Sequence, residues 1–487
     1  MELHLRIPIR RLFVIDKRFK TKSVLTDRTV KVADAFGIGI EEEEERSFPV
    51  FQDFRLRIDP GDIVYITGES GGGKSVLLKE LRASMEKAPE FGKVLADWEL
   101  QASISPDEVL IEGVGKDAKE AMELLSLSGL GEPFLWLRRY GELSDGQKYR
   151  YKIAKMMASG ASTWLFDEFA ATLDRETAKV VAFSLQKAAR RTGRTVVVAT
   201  THTDLEEDLA PSVYVVKPFY GEPIVSYRPN VPKASCSLMA SVRIEEGSLK
   251  DYEALARFHY RGGRVAGVRK VFKAVNARGE VLGAIVYTAS YPNLKGRRIA
   301  LGRSLKIDET NRLVSRISRV VVHPKYRGIG LGVRLVKETL PKAGTPIIEA
   351  LAVMAAYNPF FEKAGMLRVP YEAEAYDAKL RGLLAPLGFD PKLQGSLGYC
   401  KAFLRRLKAE KPEAFRGLLE ALRRHEWGTR GLRNLRQAQK ELGLPGSPEE
   451  PSLELMAKWL RLARTYETVY LIWMQPGAET IRKGLRK

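Results

Sequence analysis

The chain has 487 residues, 45% of them apolar and 29% charged, and a formal net charge of +20; this is length for about three domains and composition enough to exclude global disorder. No apolar run approaches the ~18 residues of a membrane-spanning helix, and the start, Met1–Phe13, lacks the uninterrupted apolar stretch of a signal peptide. Only two distant cysteines are present, Cys236 and Cys400, which excludes a disulfide framework and a thiolate zinc site. The expectation is a soluble cytoplasmic protein with no membrane partner.

Charge is unevenly placed. Residues 241–487 hold 46 basic against 24 acidic residues, a surplus of +22, whereas residues 1–240 hold 34 against 36, or −2. A surplus so confined points to a polyanionic partner, nucleic acid first, or else to a solvated surface rich in Lys, Arg and Glu of the thermophile kind. In chain order, residues 1–32 form a basic extension whose alternation at Leu3, Leu5, Ile7 and Ile9 reads as a strand or hairpin. The run Glu41–Glu45 reads as a solvated loop. Over residues 33–232, short Val/Ile/Leu strands alternate with helical stretches, an α/β domain. Prolines 229 and 232 and the Lys-Ala-Ser-Cys-Ser stretch place a linker at 233–240. A second α/β domain spans 241–372, and 373–487 reads as a mainly helical basic region, with Pro412 and Pro451 at helix starts.

The strand Ile63–Ile66 runs into Gly68-Glu69-Ser70-Gly71-Gly72-Gly73-Lys74-Ser75 and then a helical segment. This is GxxxxGKS between a strand and a helix, where glycines let backbone N–H groups wrap phosphates at a helix N-terminus. Lys74 then bridges the β- and γ-phosphates and Ser75 ligates Mg²⁺. A second strand, Trp164-Leu165-Phe166, ends in Asp167, a Mg²⁺ ligand, and Glu168, placed to polarise an attacking water. Between them lies Leu143-Ser144-Asp145-Gly146-Gln147, and beyond them Ala171-Thr172-Leu173-Asp174 and Thr200-Thr201-His202.

Together these motifs resemble an ABC-class nucleotide-binding domain over about 180 residues. LSDGQ stands for the family's LSGGQ signature, and 23 residues separate Ser144 from Asp167. The resemblance implies that Ser144, Gly146 and Gln147 contact ATP bound to another copy, that Asp174 is the D-loop aspartate, and that His202 is the switch histidine at the γ-phosphate. It assigns the Q-loop glutamine to Gln101. The aromatic that stacks on adenine is Phe36, unless that ring is a core residue. With one phosphate loop and one signature, the chain is expected to act as a homodimer enclosing two ATP molecules.

In the second half, the strand Ser315–Val322 leads through His323-Pro324-Lys325-Tyr326 to Arg327-Gly328-Ile329-Gly330-Leu331-Gly332 and a helical stretch. This resembles motif A of the GNAT acetyltransferases. The likeness implies that Val320, Val322, Arg327, Gly328, Ile329, Gly330, Leu331 and Gly332 hold the pantetheine and pyrophosphate of acetyl-CoA, amides at a helix start again meeting phosphate. Downstream, Tyr357-Asn358-Pro359-Phe360-Phe361 resembles the family's N-x-x-x-Y segment, with Asn358 at the cofactor. Phe361 stands where many members place the tyrosine acid, so either Tyr357 or water protonates the thiolate, or the chemistry is not standard amine acetylation. His259 is either a general base toward an amine or a structural histidine; His323 reads as a turn-stabilising residue. The His259-Tyr260 pair with Ala289-Ser290-Tyr291-Pro292 also resembles the phage Mom-type nucleobase-modifying branch.

As a whole the chain resembles an ABC-type ATPase fused to a predicted acetyltransferase. Arg405-Arg406, Arg423-Arg424 and Arg430–Arg436, interleaved with Phe403, Phe415 and Trp427, either track a phosphate backbone or belong to amphipathic packing helices. The leading expectation is an ATP-gated, acetyl-CoA-dependent N-acyltransferase on nucleic acid, RNA such as tRNA favoured. The alternatives are a protein or small-molecule acetyltransferase governed by an ATPase, and a nucleic-acid- or ribosome-binding switch with an inactive transferase domain.

Overall fold

The structure is a computed structural model and describes residues 11–21, 24–37, 46–259, 265–370, 382–423, 452–462 and 468–477. Glu41–Glu45, Tyr260–Gly263, Pro451 and the basic stretch Arg424–Arg436 with Trp427 lie outside the described residues.

Among the described residues, fifteen strands build three sheets. β1 (Arg11–Thr21) pairs antiparallel with β2 (Arg46–Ile58). The extension at 1–32 is therefore not a separate piece: the ladder from Arg11↔Ile58 to Thr21↔Arg46 joins the expected boundary from both sides. Period-two alternation explains it, because Phe13 and Ile15 are buried with Phe51, Phe54 and Leu56 while Leu12 and Val14 face out.

The first α/β sheet contains β3 (Ile63–Gly68), β4 (Val94–Ala96), β5 (Thr163–Phe166), β6 (Thr195–Ala199), β7 (Val213–Lys217) and β8 (Ile224–Tyr227), in the order β4-β5-β6-β3-β7-β8. All its pairs are parallel except β7–β8. The central strands are near-continuous apolar runs because helices cover both faces. The carboxyl ends of β3, β5 and β6 lie side by side, which brings three distant motifs to one edge.

The third sheet has the order β14-β15-β13-β12-β11-β10-β9, from β9 (Arg243–Glu246), β10 (Val268–Val275), β11 (Val281–Ala289), β12 (Val314–Val322), β13 (Ile347–Ala352), β14 (Leu367–Val369) and β15 (Val469–Met474). Only β12 and β13 are parallel, with the helix Leu331–Thr339 between them in sequence. Two expectations are corrected here. The domain does not end at 372, since β15 inserts between β13 and β14; its Val-Tyr-Leu-Ile run is buried on both faces and could not remain outside. The helices Leu397–Glu410, Pro412–Arg423 and Leu453–Leu462 are thus an insertion between β14 and β15 with their own core of Cys400, Phe403, Leu404, Met456 and Leu460.

The stretch 233–240 is packed rather than a loose linker. Cys236 and Met239 are buried with Val180 and Phe183 of the first α/β lobe and Leu331 and Leu335 of the second. Ser237 donates through both its backbone N–H and its hydroxyl to Asp208, at 2.7 and 2.6 Å. Serines and prolines masked an apolar Cys-x-Leu-Met anchor.

Candidate nucleotide site and a second glycine-rich loop

β3 ends at Gly68, whose φ of 139° lets its Cα pass so close to β7 that a Cβ would lie 1.9 Å from the Lys217 carbonyl oxygen. Gly73, at φ 95°, caps the helix Lys74–Glu86. Lys74 Nζ turns back onto the carbonyl oxygens of Gly68 (3.0 Å) and Glu69 (2.6 Å), so the ammonium sits inside the loop's concavity. Burial lowers its pKa, and Asp167 and Glu168 oppose that shift.

Ser75 Oγ donates to Asp167 Oδ1 at 2.9 Å, bringing the ends of β3 and β5 together. A hydroxyl and a carboxylate converging there suit Mg²⁺, a hard ion that completes its shell with phosphate and water. Among the described residues no cluster of three or more His, Cys, Asp or Glu could hold a metal. Glu168 is exposed and left-handed at φ 47°, as is Ala170 at φ 60°. Two non-glycine residues in that region within three positions store roughly 1–3 kcal/mol each, strain that a constrained functional loop retains.

At the end of β6, the His202 carbonyl accepts from Thr67 Oγ1 at 2.9 Å and from the Tyr65 hydroxyl. His202 Nδ1 lies 2.6 Å from Arg175 Nη1. An arginine can only donate, so Nδ1 accepts and Nε2 carries the proton. Nε2 is buried with no partner among the described residues, a donor waiting for an anionic oxygen.

The signature residues open the helix Asp145–Ala158. Ser144 and Asp145 are exposed, and the Ser144 N–H donates to Gln147 Oε1 at 3.1 Å. A Cβ on Gly146 would lie 3.3 Å from Leu173, next to Asp174. Asp174 caps the helix Arg175–Thr192 through Thr177 N (3.2 Å) and Thr177 Oγ1 (2.6 Å).

Two of the expected residues, Gln101 and Phe36, are exposed. Gln101 is exposed at the end of the helix Asp97–Gln101 and accepts from Lys152 at 3.4 Å. The residue that follows β4 directly is Asp97, whose Oδ1 accepts the Asp167 N–H at 3.2 Å; burial, with Asp167 adding to it, pushes its carboxyl up to about 6. Counting glutamines could not find it, but the short apolar run Val94-Leu95-Ala96 before it was the usable signal. Phe36 is 76% exposed on the helix Asp27–Phe36. The ring at the phosphate loop is instead Phe219, whose edge lies 3.2 Å from where a Gly71 Cβ would be, paired edge-on with the exposed Tyr220.

The second loop follows β12. His323 Nδ1 accepts the Lys325 N–H at 3.3 Å, the turn-stabilising part expected of it; burial, then the charges of Lys325, Arg327 and Arg257, lowers its pKa. Gly330, at φ 95°, caps the helix Leu331–Thr339, and a Cβ there would meet nothing within 4 Å. Ile329 and Leu331 are buried in the core. Val320 and Val322 pair with Ile285 and Gly283 of β11, while the β12–β13 ladder covers only Val314–Ile317 against Ile347–Ala350. Asn358 and Tyr357 are exposed, Phe361 is buried, and Phe360 lies 3.9 Å from where a Gly332 Cβ would be. The half-buried His259 follows Phe258, whose ring meets the His323 ring edge-on.

Arg327 departs from the expected role. Its Nε donates to Val322 O and its Nη2 to Phe258 O, both at 2.9 Å, and its Nη1 to Gly131 O of the first lobe. Gly328 likewise faces that lobe, its would-be Cβ 3.5 Å from Ser184 Oγ. Three of its five N–H donors are thus engaged, one of them across the two lobes.

Comparison with known proteins gives a family match, described as ABC transporter, over residues 51–171. The chain is 31% identical over 168 residues to the cytochrome c biogenesis ATP-binding export protein CcmA of Gluconobacter oxydans, covering 31% of this chain and 74% of that one. It is 26% identical over 210 residues to the methionine import ATP-binding protein MetN of Streptococcus agalactiae, covering 36% of this chain and 58% of that one. The chain thus spans less than two thirds of the methionine-import relatives it matches. Among solved structures, the dimeric bacterial ABC transporter cassette MJ0796 is 21% identical with a TM-score of 0.31, covering 37% of this chain and 91% of that one.

Proposed function

The chain belongs to the ATP-binding cassette family, and from that premise we propose that its ATPase lobe gates an acetyl-CoA-dependent N-acyltransferase lobe acting on nucleic acid, RNA such as tRNA favoured. The ATPase lobe binds ATP with Mg²⁺ and hydrolyses it. Lys74 and the loop amides hold the phosphates, Ser75 and Asp167 the metal, Glu168 orients water, and His202 Nε2–H meets the γ-phosphate. One phosphate loop and one signature per chain make the working unit a homodimer, with Ser144, Gly146 and Gln147 completing the partner's site.

The observation that carries the acyltransfer reading is the end of β12. Its ladder to parallel β13 stops at Ile317↔Ala350, and the loop after it feeds a nine-residue helix whose cap, Gly330, has open space beside it. The first amides of that helix have no intrahelical acceptor and suit a diphosphate. An amine nitrogen attacks the thioester carbonyl, the C–N bond forms, the C–S bond breaks, and the amine's proton balances the thiolate. His259 is the base and Tyr357 the acid in this reading. The surplus of +22 over residues 241–487 supports a polyanionic acceptor.

A second reading, a nucleic-acid-binding switch with a silent transferase lobe, draws on Arg327, whose donors are taken by Val322, Phe258 and Gly131. Incubation with labelled acetyl-CoA, with and without ATP, against total RNA, DNA and protein separates them. Label on RNA that rises with ATP supports the first reading. Label on protein alone replaces the acceptor class, and acetyl-CoA that neither binds nor transfers leaves the switch.

A further inference from the structure

We propose that Lys325 and Tyr326, residues of the second lobe, are positioning residues of the ATPase. The inference rests on the ATPase alone and stands whatever the second lobe binds.

Six residues lie between Asp167 and Asp174, Glu168 first among them, and two single turns run through them: the Ala171 N–H to Glu168 O and the Leu173 N–H to Ala170 O, both 3.0 Å. The middle of this segment is anchored within the ATPase lobe, where the buried Phe169 and Ala170 donate from their N–H groups to Ala199 O at 2.8 Å and to the Tyr149 hydroxyl at 3.0 Å, so the stretch left to its ends is Ala171–Leu173. One end is fixed within the ATPase lobe, by Ser75 and Asp97 on Asp167. The other is shared. Asp174 caps its helix with both oxygens, and Oδ1 also takes Lys325 Nζ at 2.8 Å. The same ammonium lies 3.1 Å from Glu176 Oε2, to which the Tyr326 hydroxyl donates at 2.7 Å, while Arg278 holds Glu176 Oε1 at 2.7 Å.

Lone exposed ion pairs contribute little to stability; this one is part of a network of two carboxylates, two cations and a phenol. The network is mounted on a rigid base. Tyr326, Ile329 and Leu331 are buried in one core with Val180 and Phe183 of the Asp174 helix, and Arg327 reaches Gly131 O just beyond. The consequence is directional: moving the second glycine-rich loop moves Asp174, and with it Thr172 and Leu173, which lie against Gly146 at the start of the signature helix. Nucleotide affinity depends on Lys74 and the phosphate loop, which Lys325 does not touch, so the effect belongs in turnover rather than in binding.

Steady-state ATP hydrolysis by the full chain carrying Lys325→Met, Lys325→Arg or Tyr326→Phe tests this. For Lys325→Met, kcat falls about three- to tenfold while KM stays within about twofold, the split expected of an interaction needed only in the transition state. Lys325→Arg keeps at least about half of kcat, since it still reaches both carboxylates, and Tyr326→Phe loses about twofold. Unchanged kcat with a lowered melting temperature would make Lys325 merely structural and overturn the proposal; so would a rise in KM equal to the fall in kcat, or Lys325→Arg as impaired as Lys325→Met. Should Lys325→Met not fold, Tyr326→Phe decides by the same split.

Discussion

Replacing Arg327 by Met separates an anchoring role from a cofactor-binding one. The arginine stem lies flush on Gly131, whose would-be Cβ is 2.8 Å from Arg327 Cδ, and Met retains that aliphatic packing while removing every donor. Three backbone carbonyls, on Val322, Phe258 and Gly131, then lose a charged partner. A hydrogen bond to a charged group contributes about 1.5–3 kcal/mol. Burial already costs the guanidinium, lowering its pKa, and water can reach some of the exposed carbonyls, so the three bonds together amount to about 3–5 kcal/mol. At roughly 2–4 °C per kcal/mol for a unit of 150–250 residues, the melting temperature of Arg327→Met falls by about 6–20 °C, read by circular dichroism. Affinity for acetyl-CoA, titrated calorimetrically below the melt, changes less than about threefold because the Gly330 amides remain. A melting temperature within about 2 °C of the parent, together with lost acetyl-CoA binding, would refute the anchoring argument and return Arg327 to the pyrophosphate.

Further outcomes follow from the same contacts. Glu168→Gln keeps ATP affinity, lowers hydrolysis at least about a hundredfold, and shows a dimer with ATP by light scattering. Asp97→Ala leaves the Asp167 N–H without its acceptor and lowers kcat about tenfold with a raised Mg²⁺ requirement, whereas Gln101→Ala stays within about twofold; equal effects would restore Gln101 as the nucleotide-site residue. Asp174 is held below the usual carboxylate range although burial works against it, because Lys325 and Thr177 outweigh the desolvation. Glu176 is held low chiefly by Tyr326 and Lys325. For depressed carboxyls the stabilisation is present above their unfolded pKa values and is lost as pH falls through the folded ones. The contact between the lobes is therefore unchanged from neutral pH down to the ordinary carboxylate range and loosens below it, seen as a change in near-ultraviolet circular dichroism that Lys325→Met moves to higher pH.

The phosphate-loop lobe was legible because each of its motifs is local. A loop, a strand end and a helix start each carry their own signal, and parallel β3, β5 and β6 bring their ends together whatever lies between them. Gln101 came from a glutamine count, which ignores where β4 stops, and the strand is only three residues long. Phe36 stood between an adenine-stacking and a core reading because an aromatic near a glycine says nothing of which face of a helix it occupies; its 76% exposure removes the core reading. The linker reading of 233–240 counted Ser and Pro and passed over Cys236, Leu238 and Met239, whose burial needs a partner surface that appears only when two lobes meet.

Linear order by itself determined the α/β class, the phosphate loop, and a second strand–glycine–helix unit, because these depend on periodicity and on residues within one turn of each other. Tertiary structure alone decided that the last strand, Val469–Met474, closes a sheet begun more than two hundred residues earlier, and that Arg327 and Lys325 face the ATPase lobe. Such pairings are chosen by which apolar faces remain uncovered and which carbonyls and carboxylates remain unpaired after folding, quantities that belong to the packed whole and to no window of the chain.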